Sequence, residues 1–179
     1  YFFGRFGFET SGNLHRLARY LFQENYNPDS SYQFMGVNYF QYAKIESEIR
    51  IKRTIDELNS ITFRANFGMA IPYWNSSVIP YDKRYFIGGS NSLRGWRPRG
   101  IGPGNTPKSS GSIIDRSGEL LIEANLEYRF TLVKNFIESA IFIDAGNIWN
   151  LSKEGSANGY GVIQRETFLP EVAMNTGIG

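Results

Sequence analysis

The chain lacks cysteine altogether, so it has no disulfide framework and no thiolate metal site. Histidine occurs once, at His15, which reads as a surface or packed side chain. Proline is sparse at 7 of 179 residues. No apolar run approaches the roughly 18 residues that a membrane-spanning helix needs, in keeping with a mean hydropathy of -0.33. An excess of one charge is missing too. The 19 basic and 17 acidic residues leave +2, too even to imply a nucleic-acid partner. No Met and no signal sequence open the chain at Tyr1, and residues 175–179 look like the middle of a strand. The expectation is an internal fragment, in which missing targeting signals carry no weight.

None of these absences excludes a membrane. Transmembrane strands need only about 9–11 residues with apolar side chains at alternate positions, so their average hydropathy stays low. What the chain does have suits that pattern: 19 glycines, 16% aromatic residues, and length for one sizeable domain. Period-two alternation recurs. Ile61, Phe63, Ala65, Phe67, Met69 and Ile71 share one face, against Thr62, Arg64, Asn66, Gly68 and Ala70. Leu120, Ile122, Ala124, Leu126, Tyr128 and Phe130 oppose Glu119, Leu121, Glu123, Asn125, Glu127 and Arg129. Ala43, Ile45, Ile49 and Ile51 oppose Lys44, Glu46, Glu48, Arg50 and Lys52, with Ser47 interrupting the apolar set. Ile137, Ile141, Ile143 and Ala145 face away from Phe142 and Asp144. Phe2, Phe6 and Phe8 suggest a strand at the start, and residues 171–179 the beginning of another.

Connections alternate in length. Short turns are expected near 56–60 and 131–136, and long loops over 10–38, 74–118 and 147–170. An up-and-down meander has this rhythm, and so does a transmembrane barrel with short turns at one rim and long loops at the other. Ring placement fits a barrel with two aromatic belts. Tyr39, Phe40, Tyr42, Tyr73, Trp74 and Trp149 stand at one set of strand ends, and Tyr128, Phe130 and Phe136 at the other. Of these, Tyr73, Trp74, Trp149, Tyr128 and Phe130 are the girdle candidates. Alternation by itself is equally compatible with a soluble β-sandwich or small barrel. Leu14, Leu17, Ala18 and Leu21 recur at helical spacing, so 13–22 reads as a short amphipathic helix packed within the first long loop, with Ser11 to Asn13 as caps.

Residues 83–100 are the most distinctive segment. Lys83, Arg84, Arg94, Arg97 and Arg99 sit with Tyr85, Phe86 and Trp96 around Gly88-Gly89 and an Arg-Gly-aromatic triplet. A long loop with so many rings reads as ordered and functional. Its glycine-rich stretches lack the Gly-Lys-Ser/Thr ending of a phosphate loop. Glu123 and Glu127 could be an acid pair, but carboxylates alternating along a wall are commoner and no nucleophile–base partner is apparent. Neither cofactor nor metal is expected. Asn75-Ser76-Ser77 and Asn150-Leu151-Ser152 match the glycosylation pattern, which is frequent by chance.

Residues 86–96, ending Leu93-Arg94-Gly95-Trp96, resemble the sixth outer-loop motif of the BamA and TamA type outer-membrane assembly factors, barrels of the bacterial surface antigen family. Residues 124–130 (Ala-Asn-Leu-Glu-Tyr-Arg-Phe) and 142–149 (Phe-Ile-Asp-Ala-Gly-Asn-Ile-Trp) match in order, and 175–179 look like the family's next strand. The resemblance implies an all-β, antiparallel up-and-down transmembrane barrel in the bacterial outer membrane. Of it this chain would supply about six of roughly sixteen strands. On that reading residues 1–179 are a C-terminal part of one barrel domain, with 74–118 an outer loop inserted in the lumen. The N-terminal POTRA repeats and the two gate strands would lie outside. The family's loop arginine binds acidic groups of the barrel wall, which by motif match makes Arg94, Glu127 and Asp144 a loop–barrel latch. Gly88, Gly89, Leu93, Gly95 and Trp96 complete the loop motif. The two acids lie on the polar faces of their own strands, so both should point inward. The implied function is non-catalytic insertion, assembly or translocation of outer-membrane proteins through a lateral seam. Its partners would be the lipid bilayer, unfolded outer-membrane protein substrates and accessory periplasmic or lipoprotein subunits. The alternatives are a two-partner-type secretion pore exporting a dedicated substrate, a barrel carrying an enzyme, and a soluble β-module.

Overall fold

A computed structural model describes residues 1–22, 33–34, 37–106, 116–134, 136–154, 156 and 160–179. Strand β1 (Phe2–Ser11) leads into helix α1 (Asn13–Phe22). A two-residue hairpin follows, β2 (Gln33–Phe34) with β3 (Val37–Asn38). The long strands are β4 (Tyr42–Thr54), β5 (Asn59–Pro72), β6 (Leu120–Val133) and β7 (Ile137–Trp149). A single-turn helix α2 (Phe168–Glu171) precedes β8 (Ala173–Ile178). Six strands form one antiparallel sheet in the order β1-β4-β5-β6-β7-β8, each paired with the next of the six along the chain. The sheet is open, as a partial barrel must be. Residues 55–58 form one short turn and β6 and β7 are joined by the other short connection, and the long connections all leave from the opposite rim.

Register puts the alternation into space. Ile51, Phe63, Leu126 and Ile143 stand opposite one another across β4 to β7, and so do Ile49, Ala65, Ala124 and Ala145. Ser47, which interrupts the apolar set, lies between Phe6 and Phe67. The intervening rows are polar: Arg5, Glu48, Asn66 and Glu123 form one, and Arg50, Arg64, Asn125, Asp144 and Asn175 another.

The two faces have opposite fates. Phe6, Phe8, Ile49, Phe67, Leu126, Ile141, Ile143 and Met174 are all exposed. A protein in water rarely leaves a contiguous band of so many large apolar side chains uncovered. The polar face, by contrast, carries the core. Tyr42, Ala70 and Ile148 from the strands join Ile79, Tyr85, Ile87, Leu93 and Ile101 from the β5–β6 loop in one buried cluster, with Trp96 packed against it. A soluble sandwich buries the opposite set, so the arrangement excludes that alternative.

Three expectations need correction. Trp149 is no exposed girdle ring: it is fully buried, tilted against Phe168 at 4.9 Å, with Nε1 donating to Glu171 Oε2 at 2.7 Å. The chain between β7 and β8 folds back over it. Tyr42 faces the polar side, where its hydroxyl donates to Glu9. Helix α1 forms over the expected residues, but Leu14 and Leu17 are exposed rather than packed. Tyr73 and Trp74 sit at the long-loop rim in edge contact, with the Arg16 guanidinium 3.5 Å from the Trp74 ring. Tyr128 and Phe130 stack at 5.7 Å near the other rim.

Candidate functional site

The β5–β6 loop crosses the polar face and is tied down at both sides. At β1, Lys83 Nζ donates to Glu9 Oε1 at 2.7 Å, a pairing that raises the lysine above its ordinary pKa. Over β4, the Tyr85 hydroxyl reaches the Ile45 carbonyl at 3.3 Å, and Lys44 lies over its ring. Burial pushes that hydroxyl above the usual phenol range, so it remains a donor. The ring fits only because residue 68 is glycine: a Cβ there would lie 2.5 Å from Tyr85 Cζ. Arg84 Nη2 donates to Asn150 Oδ1 at 2.5 Å, and Arg99 lies 3.9 Å from the Phe86 ring centroid. Of the loop cations Lys83, Arg84, Arg97 and Arg99, the last two are exposed, and Arg99 is stacked.

The motif arginine sits over β6 and β7. Arg94 Nε donates to Asp144 Oδ2 at 3.0 Å and Nη2 to Oδ1 at 2.7 Å, a bidentate fork. Its backbone N–H donates to the same Oδ2 at 3.0 Å, and Nη1 pairs with Glu127. The guanidinium lies 3.5 Å from the centroid of the Phe142 ring. The Asp144 side chain is fully buried and that of Glu127 is 13% exposed. Bonding to Asp144, partly offset by burial, drives the guanidinium further above its already high pKa. Arginine alone supplies this geometry, because its planar fork offers five donors and never loses its charge. Gly95 lets the loop approach β8: a Cβ there would lie 2.9 Å from that of Asn175.

The structure thus brings Arg94, Glu127 and Asp144 together, with Gly88, Gly89, Leu93, Gly95 and Trp96 around them. It adds residues that motif reasoning passed over. Asn125 Nδ2 donates to Asp144 Oδ1 and to the Ser92 carbonyl, both at 2.9 Å. Arg129 pairs with Glu127 from the same strand. Asn125 lies on the polar set of β6 and within the matched segment 124–130, and neither signal assigned it a contact. No group of three His, Asp or Glu residues suited to a metal occurs among the described residues. The loop arginine is bonded to both β6 and β7.

A family model described as the Omp85 superfamily domain matches residues 19–179. The crystal structure of BamA from Haemophilus ducreyi lacking POTRA domains 1-3 is similar in fold, with a TM-score of 0.58 and 19% sequence identity. The match covers 76% of this chain and 28% of that one, so this chain spans less than a third of the BamA structure.

Proposed function

We propose a function from one premise: the chain belongs to the Omp85 superfamily. It is part of a β-barrel in the bacterial outer membrane that helps insert, fold or translocate other β-rich proteins, and it catalyses no covalent chemistry. The activity belongs to the full-length protein, with POTRA repeats and the two seam strands outside these residues. The observation that carries this reading is a polar sheet face clasping a loop arginine beneath an exposed apolar exterior. The clasped loop keeps this side of the barrel in shape while a seam elsewhere opens. Unpaired strand edges at the seam template an incoming strand. Burying that strand in lipid with its backbone groups paired drives the process, so no nucleotide is required.

The test is reconstitution of the full-length protein in phospholipid vesicles with an unfolded outer-membrane β-protein and no nucleotide. Folded, protease-resistant substrate should accumulate faster than in empty vesicles. Equal rates would remove the proposal. Substrate appearing inside the vesicles, together with membrane conductance, would favour the export-pore alternative.

A second prediction tests the bilayer face. Phe67→Lys, near the middle of β5 on the apolar side, is expected to destabilise the membrane-inserted protein by about 2–4 kcal/mol. Asn66→Lys, one residue earlier but on the polar face and flanked by Glu48 and Glu123, should be nearly neutral. Urea titrations of both variants in bilayers read the difference. Equal effects would show that the apolar face does not meet lipid.

A further inference from the structure

We infer that Arg64 is a positioning residue for the loop arginine, the centre of a second clasp coupled to the first. Arg64 lies on the polar face of β5, opposite Arg50 on one side and Asn125 on the other. Two guanidinium groups directly opposed on neighbouring strands repel. Arg50 turns to Glu48, and Arg64 turns the other way, towards β6 and the loop.

There it makes three contacts of different kinds. Nη2 pairs with the carboxylate of Glu123, which is 4% exposed, and also donates to the Asn91 carbonyl at 2.5 Å. Nε donates to Asn125 Oδ1 at 3.0 Å. Each partner passes the constraint onward. The second oxygen of Glu123 accepts the Ser92 hydroxyl at 2.9 Å, and that Oγ in turn accepts the Gly88 N–H at 3.1 Å. Asn125 donates both to the Ser92 carbonyl and to Asp144, the principal acceptor for Arg94. Arg64 therefore fixes the turn 88–92 from below, through the buried Glu123 and the half-buried Asn125 and Ser92. That turn ends two residues before Arg94. Asn125 is the one side chain shared by both clasps, so they stand or fall together. A buried carboxylate and a half-buried amide with all these partners present rigidify their surroundings more than isolated pairs do.

The inference rests on Arg94 as the loop's anchor, and its test reads loop position separately from assembly. Spin labels at Ser90→Cys on the loop and Lys52→Cys on β4 in the full-length protein in bilayers give a distance distribution. Arg64→Ala should make it roughly twofold broader. Combining Arg64→Ala with Asn125→Ala should add little, since Asn125 lies on the same path. The exchanged pair Arg64→Glu with Glu123→Arg should recover the narrow distribution, which a role in general stability would not produce. If Arg64→Ala does not reach the membrane, Ser92→Ala decides the matter from the loop side: broadening supports the coupling and an unchanged width overturns it. An unchanged width in Arg64→Ala overturns it too, as does an exchanged pair that folds but stays broad. A loosened loop with assembly intact supports the second clasp and removes the loop from the proposed mechanism.

Discussion

Arg94→Ala in the full-length protein is expected to release the β5–β6 loop from β6 and β7 and to abolish most assembly activity. The reason is what the substitution leaves behind. Asp144 is fully buried and Glu127 nearly so, and Arg94 is the cation that bridges them. Removing one member of a buried ion pair costs about 3–5 kcal/mol, mostly as the penalty of an uncompensated charge. The loss here includes a bidentate fork, a third charged bond and the face of Phe142. Arg129 holds the other oxygen of Glu127 and offsets part of the repulsion there, so the strain concentrates at Asp144. Arg94→Lys should fall in between. It retains charge but is a point donor that cannot bridge both acids in one plane. Adding Asp144→Asn to Arg94→Ala should recover part of the stability, because the stranded charge is gone, without recovering activity. Thermal unfolding in bilayers and protease access to the loop separate these outcomes. Wild-type stability and loop protection in Arg94→Ala would mean the clasp bears no load.

The same geometry shows which features could be read from residue order and which could not. Alternation is local, so strand faces follow from the chain alone. Glu127 and Asp144 were assignable to the polar face because each alternates with apolar neighbours on its own strand. Register converts that into contact: Asn125 faces Asp144, and Glu127 faces Phe142, the ring beneath the guanidinium. The second clasp was not legible. Arg64 is separated from Glu123 by 59 residues, and Ser92 reaches them only through the path of the loop. Nothing in a single strand's pattern distinguishes Arg64 from Arg50. Trp149 failed for a related reason. Alternation puts it on the same face as Ile141, Ile143 and Ala145, but the following loop brings Phe168 and Glu171 over it. Leu14 and Leu17 show the limit of periodicity: helical spacing predicts a shared face, and only tertiary structure decides whether that face is covered.

Gly88→Ala is expected to disrupt the loop nearly as severely as Arg94→Ala, although it removes no contact. Gly88 has φ +105, a conformation that side-chain-bearing residues rarely adopt. Holding alanine there costs on the order of 1–3 kcal/mol. The added Cβ would also point straight into the Arg97 carbonyl oxygen, and a backbone atom cannot swing aside as a side chain does. The loop must therefore open between Gly88 and Arg97. The Gly88 N–H then loses Ser92, the bond from the Gly89 N–H to the Trp96 carbonyl breaks, and Arg94 is carried away from Asp144. Gly7→Ala on β1 is the matched control. Its Cβ would meet Glu46 at 3.8 Å, an ordinary contact, so it should leave loop and assembly unchanged. Protease cleavage within the loop and substrate insertion, measured on both variants, check the pair. A protected loop in Gly88→Ala would mean that the turn tolerates another backbone path and that the clasps, not the glycine, dictate where Arg94 lies.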